Sequence, residues 1–271
     1  MGYKPIEEIQ QETRQWDFIQ GLPDQVGKFT KKLVDTIDGQ VLTICRYEAP
    51  ELRARLDIIY TSETFDYIVV HTMGMNSYWD IRFIYKDRDV FARNVRAYLP
   101  GILHSMEDPA SVNLGEQVAE HGILTWEYGN SLPEKIGPFE LYIKPAHAIE
   151  HINGSIILID YSNFARMDQL IIMYNRLRDQ FFGEVKINSV FHASMDFDSK
   201  NLKVLEGKLK EHLLTIQEQA EQRMELLTAQ MAKAEGVTEE LKAADQMKWV
   251  GLMNSLKAQA EEIILSELVY N

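Results

Sequence analysis

The chain has 271 residues, 45% of them apolar and 25% charged, with a formal net charge of −13 at pH 7. These values are those of a soluble globular protein and disfavour disordered and fibrous classes; the length suits one large domain or a domain with an appendage. The acidic balance argues against a nucleic-acid or anionic-membrane binder, because both need clustered Lys and Arg to neutralise phosphate.

The start, Met1-Gly2-Tyr3-Lys4-Pro5-Ile6, lacks the apolar core of a signal peptide, and Ile6 stands where a myristoylation signal wants Ser or Thr. No run approaches the ~18 apolar residues of a membrane span. The single cysteine, Cys45, excludes an intramolecular disulfide and a multi-cysteine metal site and suits a cytoplasmic protein. Its setting, Val41-Leu42-Thr43-Ile44-Cys45, is that of a buried strand residue.

In chain order, residues 5–20 and 23–38 read as two N-terminal helices, opened by Pro5 and Pro23 and closed by Gly21 and Gly39. From Gln40 the texture turns β-branched and aromatic, predicting strands at Val41–Tyr47, Phe65–Thr72 and Tyr78–Tyr85. The last alternates Trp79, Ile81, Phe83 and Tyr85 against Asp80, Arg82 and Ile84. Residues 51–61 fit either period, with a strand expected in the second half. A helix over Asp87–Met106 should be broken or kinked by Pro100-Gly101. A polar loop follows to Gln117, then strands at Ile123–Tyr128, Phe139–Ile143 and Ser155–Asp160, a helix over 163–181, and a strand at Glu184–Phe191. Strands and helices without a strict βαβ rhythm predict an α+β fold: a mostly antiparallel sheet with flanking helices over residues 1–199.

An internal echo pairs Ile81–Leu99 with Ile157–Leu177, each running from a strand through Tyr to Phe-Ala-Arg (Phe91-Ala92-Arg93, Phe164-Ala165-Arg166). It is a candidate trace of duplication, although the Tyr-to-Phe spacing differs between the copies.

Residues 200–271 read as a long antiparallel helical hairpin with its turn at 236–238. From Leu202 the apolar stripe runs Leu205, Leu209, Leu213, Ile216, Ala220, Met224, Leu227 and Met231 in steps of three and four. That eleven-residue rhythm keeps the stripe on one face of a nearly straight helix. Gly236 supplies a left-handed stop and Thr238 an N-cap. The second helix carries Leu252, Leu256 and Ile263 among its apolar positions. A hairpin of this length needs its own domain, a copy of itself or a partner to cover the stripe.

The sharpest chemical motif is His147-Ala148-Ile149-Glu150-His151, which matches the H-x-x-E-H pattern of inverted zinc peptidases. On a helix His147 and His151 would share a face and reach one metal, with Glu150 polarising a bound water; Pro145 and Asn153-Gly154 leave little room for such a helix. Asp196-Phe197-Asp198 has a cation-like spacing, but at the mouth of the long helix Asp198 or Ser199 reads as its N-cap. No nucleotide-binding, serine-hydrolase or EF-hand motif is present.

The sequence thus predicts a non-catalytic protein that self-associates, as a homodimer, or binds a protein partner through its C-terminal helices, with no cofactor, nucleic acid or membrane. The alternatives are a metal-dependent hydrolase using His147, Glu150 and His151, and a small-ligand sensor with a pocket near Tyr78, Trp79 and Trp126.

Overall fold

The computed structural model describes residues 4–151, 154–197 and 201–268. The chain divides into two compact units, Met1–Lys200 and Asn201–Asn271. Two antiparallel sheets and their helices make the first unit and helices make the second, an α+β protein.

The first unit opens with α1 (Ile6–Arg14), whose buried Ile9 packs into the core, and the single turn α2 (Asp17–Gln20). Strands β1 (Gln25–Val26), β2 (Phe29–Asp38), β3 (Val41–Ala49), β4 (Ala54–Thr61), β5 (Asp66–Met73) and β6 (Asn76–Tyr85) then form a six-stranded meander in sequence order. The second expected helix, 23–38, is therefore the hairpin β1–β2. Gly27 (φ 54°) makes its turn, a backbone region that glycine enters without the penalty of a Cβ. The long helix α3 (Arg88–Glu107) contributes Phe91, Val95, Leu99 and Leu103 to the same core. It continues through Pro100, which is exposed between the buried Leu99 and Ile102, so packing on both sides outweighs the lost hydrogen bond.

The second sheet follows α4 (Glu116–Glu120) and the single turn α5 (Glu127–Asn130). Its strands are β7 (Lys135–Ile136), β8 (Phe139–Ile143), β9 (Ile149–Glu150), β10 (Ser155–Asn163), β11 (Asp168–Asn175), β12 (Gln180–Ile187) and β13 (Val190–Asp196). Their order is β13-β12-β11-β10-β8-β7, with β9 pairing β10. Two expectations fail here. Ile123–Tyr128 is a turn leading into α5, not a strand, and 163–181 is not a helix. The latter holds β11 between turns at Met167 (φ 62°) and at Asn175, whose Oδ1 accepts from the N–H groups of Leu177 and Arg178. The continuous apolar run Leu170–Tyr174 suits either period.

The two sheets repeat one plan. Trp16-Asp17-Phe18 recurs as Trp126-Glu127-Tyr128, Leu22-Pro23-Asp24 as Leu132-Pro133-Glu134, Val26-Gly27 as Ile136-Gly137, and Phe29 as Phe139. Both tryptophans precede a one-turn helix, and the hairpin registers Val26–Phe29 and Ile136–Phe139 coincide. Tyr47 Oη donates to the Pro23 carbonyl at 2.5 Å and Tyr161 Oη to the Pro133 carbonyl at 2.6 Å. The bulge between Thr43 and Cys45 against Ile59 and Ile58 reappears between Ile157 and Ile159 against Met173 and Ile172. The ring pair Tyr60–Tyr67, at 5.1 Å, matches Tyr174–Phe181, at 5.3 Å. The repeat is real but its register differs from the echo expected in the sequence: Phe91-Ala92-Arg93 lies in α3, whereas Phe164-Ala165-Arg166 lies between β10 and β11.

A buried polar cluster joins the halves. Asp160 accepts from Ser162 Oγ (2.6 Å), Asn76 Nδ2 (2.7 Å) and Gln169 Nε2 (2.8 Å), and Gln169 also donates to Asn76 Oδ1. Burial raises the Asp160 pKa, opposed by these donors. Around it, Tyr142 Oη donates to the Leu52 carbonyl, and Arg53 pairs with Glu140 and covers the Phe164 ring at 3.8 Å.

In the second unit α6 (Leu202–Ala234) is capped by Asn201, which accepts from the Lys203 N–H; Asp198 and Ser199, the expected caps, lie outside the described residues. Gly236 (φ 67°) ends it, and the Val237 N–H bonds back to the Ala232 carbonyl, which satisfies an otherwise free end group. Thr238 caps α7 (Glu239–Ala244). The expected single second helix is broken at Asp245, whose carboxylate accepts from the Lys248 N–H at the start of α8 (Gln246–Leu268). Helices α6 and α8 pack together.

Candidate functional site

The H-x-x-E-H segment does not form a helix. Pro145–His147 is one 3-10 turn and Ile149–Glu150 is strand β9, so His147 and His151 do not share a helical face. Strand pairing with β10, registered Ile149–Ile157 and Glu150–Ile156, decides this backbone. His147 is exposed, and Glu150 pairs with Arg176. His151 is half-buried with no hydrogen bond at its buried Nδ1, and burial, with a smaller push from Lys186, lowers its pKa to about 4. Among the described residues no three His, Cys, Asp or Glu side chains cluster as a metal site. Cys45 is fully buried and its thiol pKa is pushed up to about 12, mainly by desolvation, which makes it a poor nucleophile.

The same segment forms one rim of a cleft of 660 Å³. Strand β6 builds its floor by leaving the ladder: between the pairs Ile68–Ile84 and Val70–Trp79, Val69 alone faces Asp80, Ile81, Arg82 and Phe83. A bulge of this kind re-aims side chains. Phe83 and Asp80 both turn inward, 3% exposed each, while Ile81 is 77% exposed, so the alternation expected for this strand is broken. The cleft then lies among β6, α3, residues 109–114 and residues 148–150.

Asp80 anchors the polar end. Arg82 grips it with two hydrogen bonds, Nε to Oδ1 at 2.9 Å and Nη2 to Oδ2 at 2.7 Å. His71 Nε2 is 3.0 Å from Oδ2, an ion-pair distance without hydrogen-bond alignment. Burial alone would raise the Asp80 pKa; the contacts with His71 and Arg82 reverse the sign and hold the carboxyl well below the usual carboxylate range. The Tyr78 ring stacks on His71, with centroids 5.0 Å apart, and meets His151 edge-on at 5.4 Å. Burial raises the Tyr78 pKa, so its hydroxyl stays a neutral donor. Of the aromatic residues expected at a pocket, Tyr78 lines the cleft and Trp79 and Trp126 do not. Asp80 escaped sequence reasoning because period-two alternation assigns it to solvent, whereas Arg82 stays largely exposed, as alternation predicts, and reaches back to Asp80.

In the helical unit Leu205 and Leu256 are buried, Met224, Leu227, Met231 and Leu252 are half-buried, and Ile263 is exposed. Leu209, Leu213 and Ile216 lie within α6, but their side chains fall outside the described residues. Met247, at 83% exposure, together with Val250 and Leu226, stands in solvent. No helix among the described residues is long and apolar enough to cross a membrane.

A family model for the transposon-encoded protein TnpV matches residues 192–269, less than a third of the chain. No curated protein and no solved structure matches.

Proposed function

We propose that this is a non-catalytic assembly protein that pairs with a second copy of itself through its C-terminal helices. The observation that carries this reading is the incomplete cover of the helical unit. Helices α6 and α8 pack on each other, yet Met247, Val250, Leu226 and Ile263 remain exposed. Two helices share a single seam, and apolar positions off that seam need another surface to bury them. Two hairpins related by a twofold axis form a four-helix bundle, which provides one. The similarity to TnpV begins within β13 and runs through the helices, and it supports treating the helical stretch as a unit in its own right. The excess of acidic residues favours a protein partner over nucleic acid, and a lone buried cysteine fits the cytoplasm.

Light scattering after size-exclusion chromatography tests the reading on the full chain. The wild-type protein is expected to elute as a dimer, and the triple variant Met247→Asp, Val250→Asp, Ile263→Asp as a folded monomer. A monomeric wild-type protein at every concentration tested would remove the proposal.

A further inference from the structure

The cleft beside β6 has walls and donors that match a small carboxylate. Its apolar side is formed by Met73, Phe83, Ile102, Met106, Leu114 and Ile149, from both halves of the first unit. A cavity of 660 Å³ is within the range of ligand sites, about 300–1,000 Å³. At its polar end, Arg82 spends Nε and Nη2 on Asp80, and Nη1 has no hydrogen-bond partner among the described residues. The Tyr78 hydroxyl likewise has none. Asp80 fixes the guanidinium plane, so a ligand would meet a donor whose orientation is already set. Glu150, the acidic residue at the rim, is paired with Arg176, which offsets its repulsion. Arg82 Nη1 and the Tyr78 hydroxyl can both donate to a ligand, and the arginine is permanently charged.

The geometry points to a binding site for a small amphipathic carboxylate, its apolar body along α3 and Ile149 and its head group on Arg82 Nη1 and the Tyr78 hydroxyl. Nothing in this assignment depends on the helical unit or on self-association. The β6 bulge is the structural expense that such a site explains: it takes Asp80 and Arg82 out of the ladder, so that the buried Asp80 holds Arg82 at the cleft wall.

Decanoate and its neutral counterpart decanol serve as probes, titrated calorimetrically into the full-length protein. Decanoate is expected to bind at least tenfold more tightly than decanol. Tyr78→Phe and Arg82→Lys should each weaken decanoate several-fold while leaving decanol within a factor of two. Gly101→Phe should abolish both, since Gly101 lines the cleft from α3 and a Cβ built there has no atom within 4 Å, so the ring enters open space. A native circular dichroism spectrum and a cooperative melt would confirm that these variants fold. Equal affinity for the two probes would overturn the carboxylate assignment. Undiminished binding to the folded Gly101→Phe variant, or no binding of either probe to the wild-type protein, would overturn the site itself.

Discussion

The two halves of the first unit share a strand order, a bulge in the second long strand and a tyrosine tied to a proline carbonyl, yet they differ where a site could form. In the first half β6 leaves its ladder over Asp80–Phe83 and opens a cleft; in the second, β13 departs from β12 by His192 alone. The shared features are those that any such meander needs to pack. The difference lies in a last strand, where ladder bonds can be given up without splitting the sheet. Architecture is thus held in common by the repeats, and the proposed site lies at the deviation.

The largest effect should come from the position where the repeats carry opposite charge. Arg46 on β3 corresponds to Asp160 on β10; Arg46 pairs with Asp57 in a partly exposed bond, whereas Asp160 holds three buried donors. Asp160→Ala is expected to destabilise the protein by about 3–5 kcal/mol, because Asn76, Gln169 and Ser162 lose their acceptor. Arg46→Ala should cost only about 1 kcal/mol, since Asp57 keeps its contact with Arg55. Urea unfolding of both variants gives the comparison, and equal losses would deny Asp160 its role between the halves.

A second test concerns the one-turn helices. Ile19 in α2 is buried, and its counterpart in α5 is Gly129, where an added Cβ would meet Pro145 Cγ at 2.7 Å and the Trp126 ring. Ile19→Ala should cost about 2–4 kcal/mol by leaving a cavity, and Gly129→Ala about 1–3 kcal/mol by overfilling. Thermal melts of the two variants should both fall, and an unchanged melting temperature for either would deny the tight packing at that site.

His151 gives a pH dependence. Its neutral form is favoured in the folded state, with a pKa of about 4 against 6.5 for the free side chain. The unfolded chain therefore takes up the proton first, and stability should fall as pH drops from about 6.5 to 4, by roughly 2–3 kcal/mol over that window. His151→Gln should flatten this part of the profile relative to wild type in denaturant titrations at several pH values. Asp80 acts lower: its depressed pKa contributes stability above the usual carboxylate pKa, and that contribution is lost on acidification below about pH 4.

The smallest effect is a gain. Gly101 sits inside α3 with open space where a Cβ would be, so Gly101→Ala should raise stability by about 0.5–1 kcal/mol, seen as a small rise in melting temperature.

Much of the architecture was legible in the sequence because its period was local. The steps of three and four from Leu202 specify a helix, Gly236 and Thr238 specify its turn, and the β-branched runs at Val41 and Ser155 specify strands. Legibility failed where period and punctuation conflicted. Pro23 and Gly39 bracket a helix-like stretch, but Gly27 between them is a hairpin turn. Residues 163–181 have a helical spacing that two tight turns interrupt. The true repeat, beginning at Trp16 and Trp126, was obscured because its halves share turn residues and isolated aromatics, while the Phe-Ala-Arg match drew attention to unrelated backbone.

The sequence by itself determined the α+β class, the helical ending and the acidic, single-cysteine character, since propensity, apolar spacing and charge act over a few residues. Tertiary structure alone decided that residues 147–151 pair as strand and turn, that Asp80 faces inward, and that Asp160 joins the two halves. Those outcomes depend on which distant strand supplies the hydrogen bonds, and a buried carboxylate is stable only where donors from elsewhere in the chain converge on it.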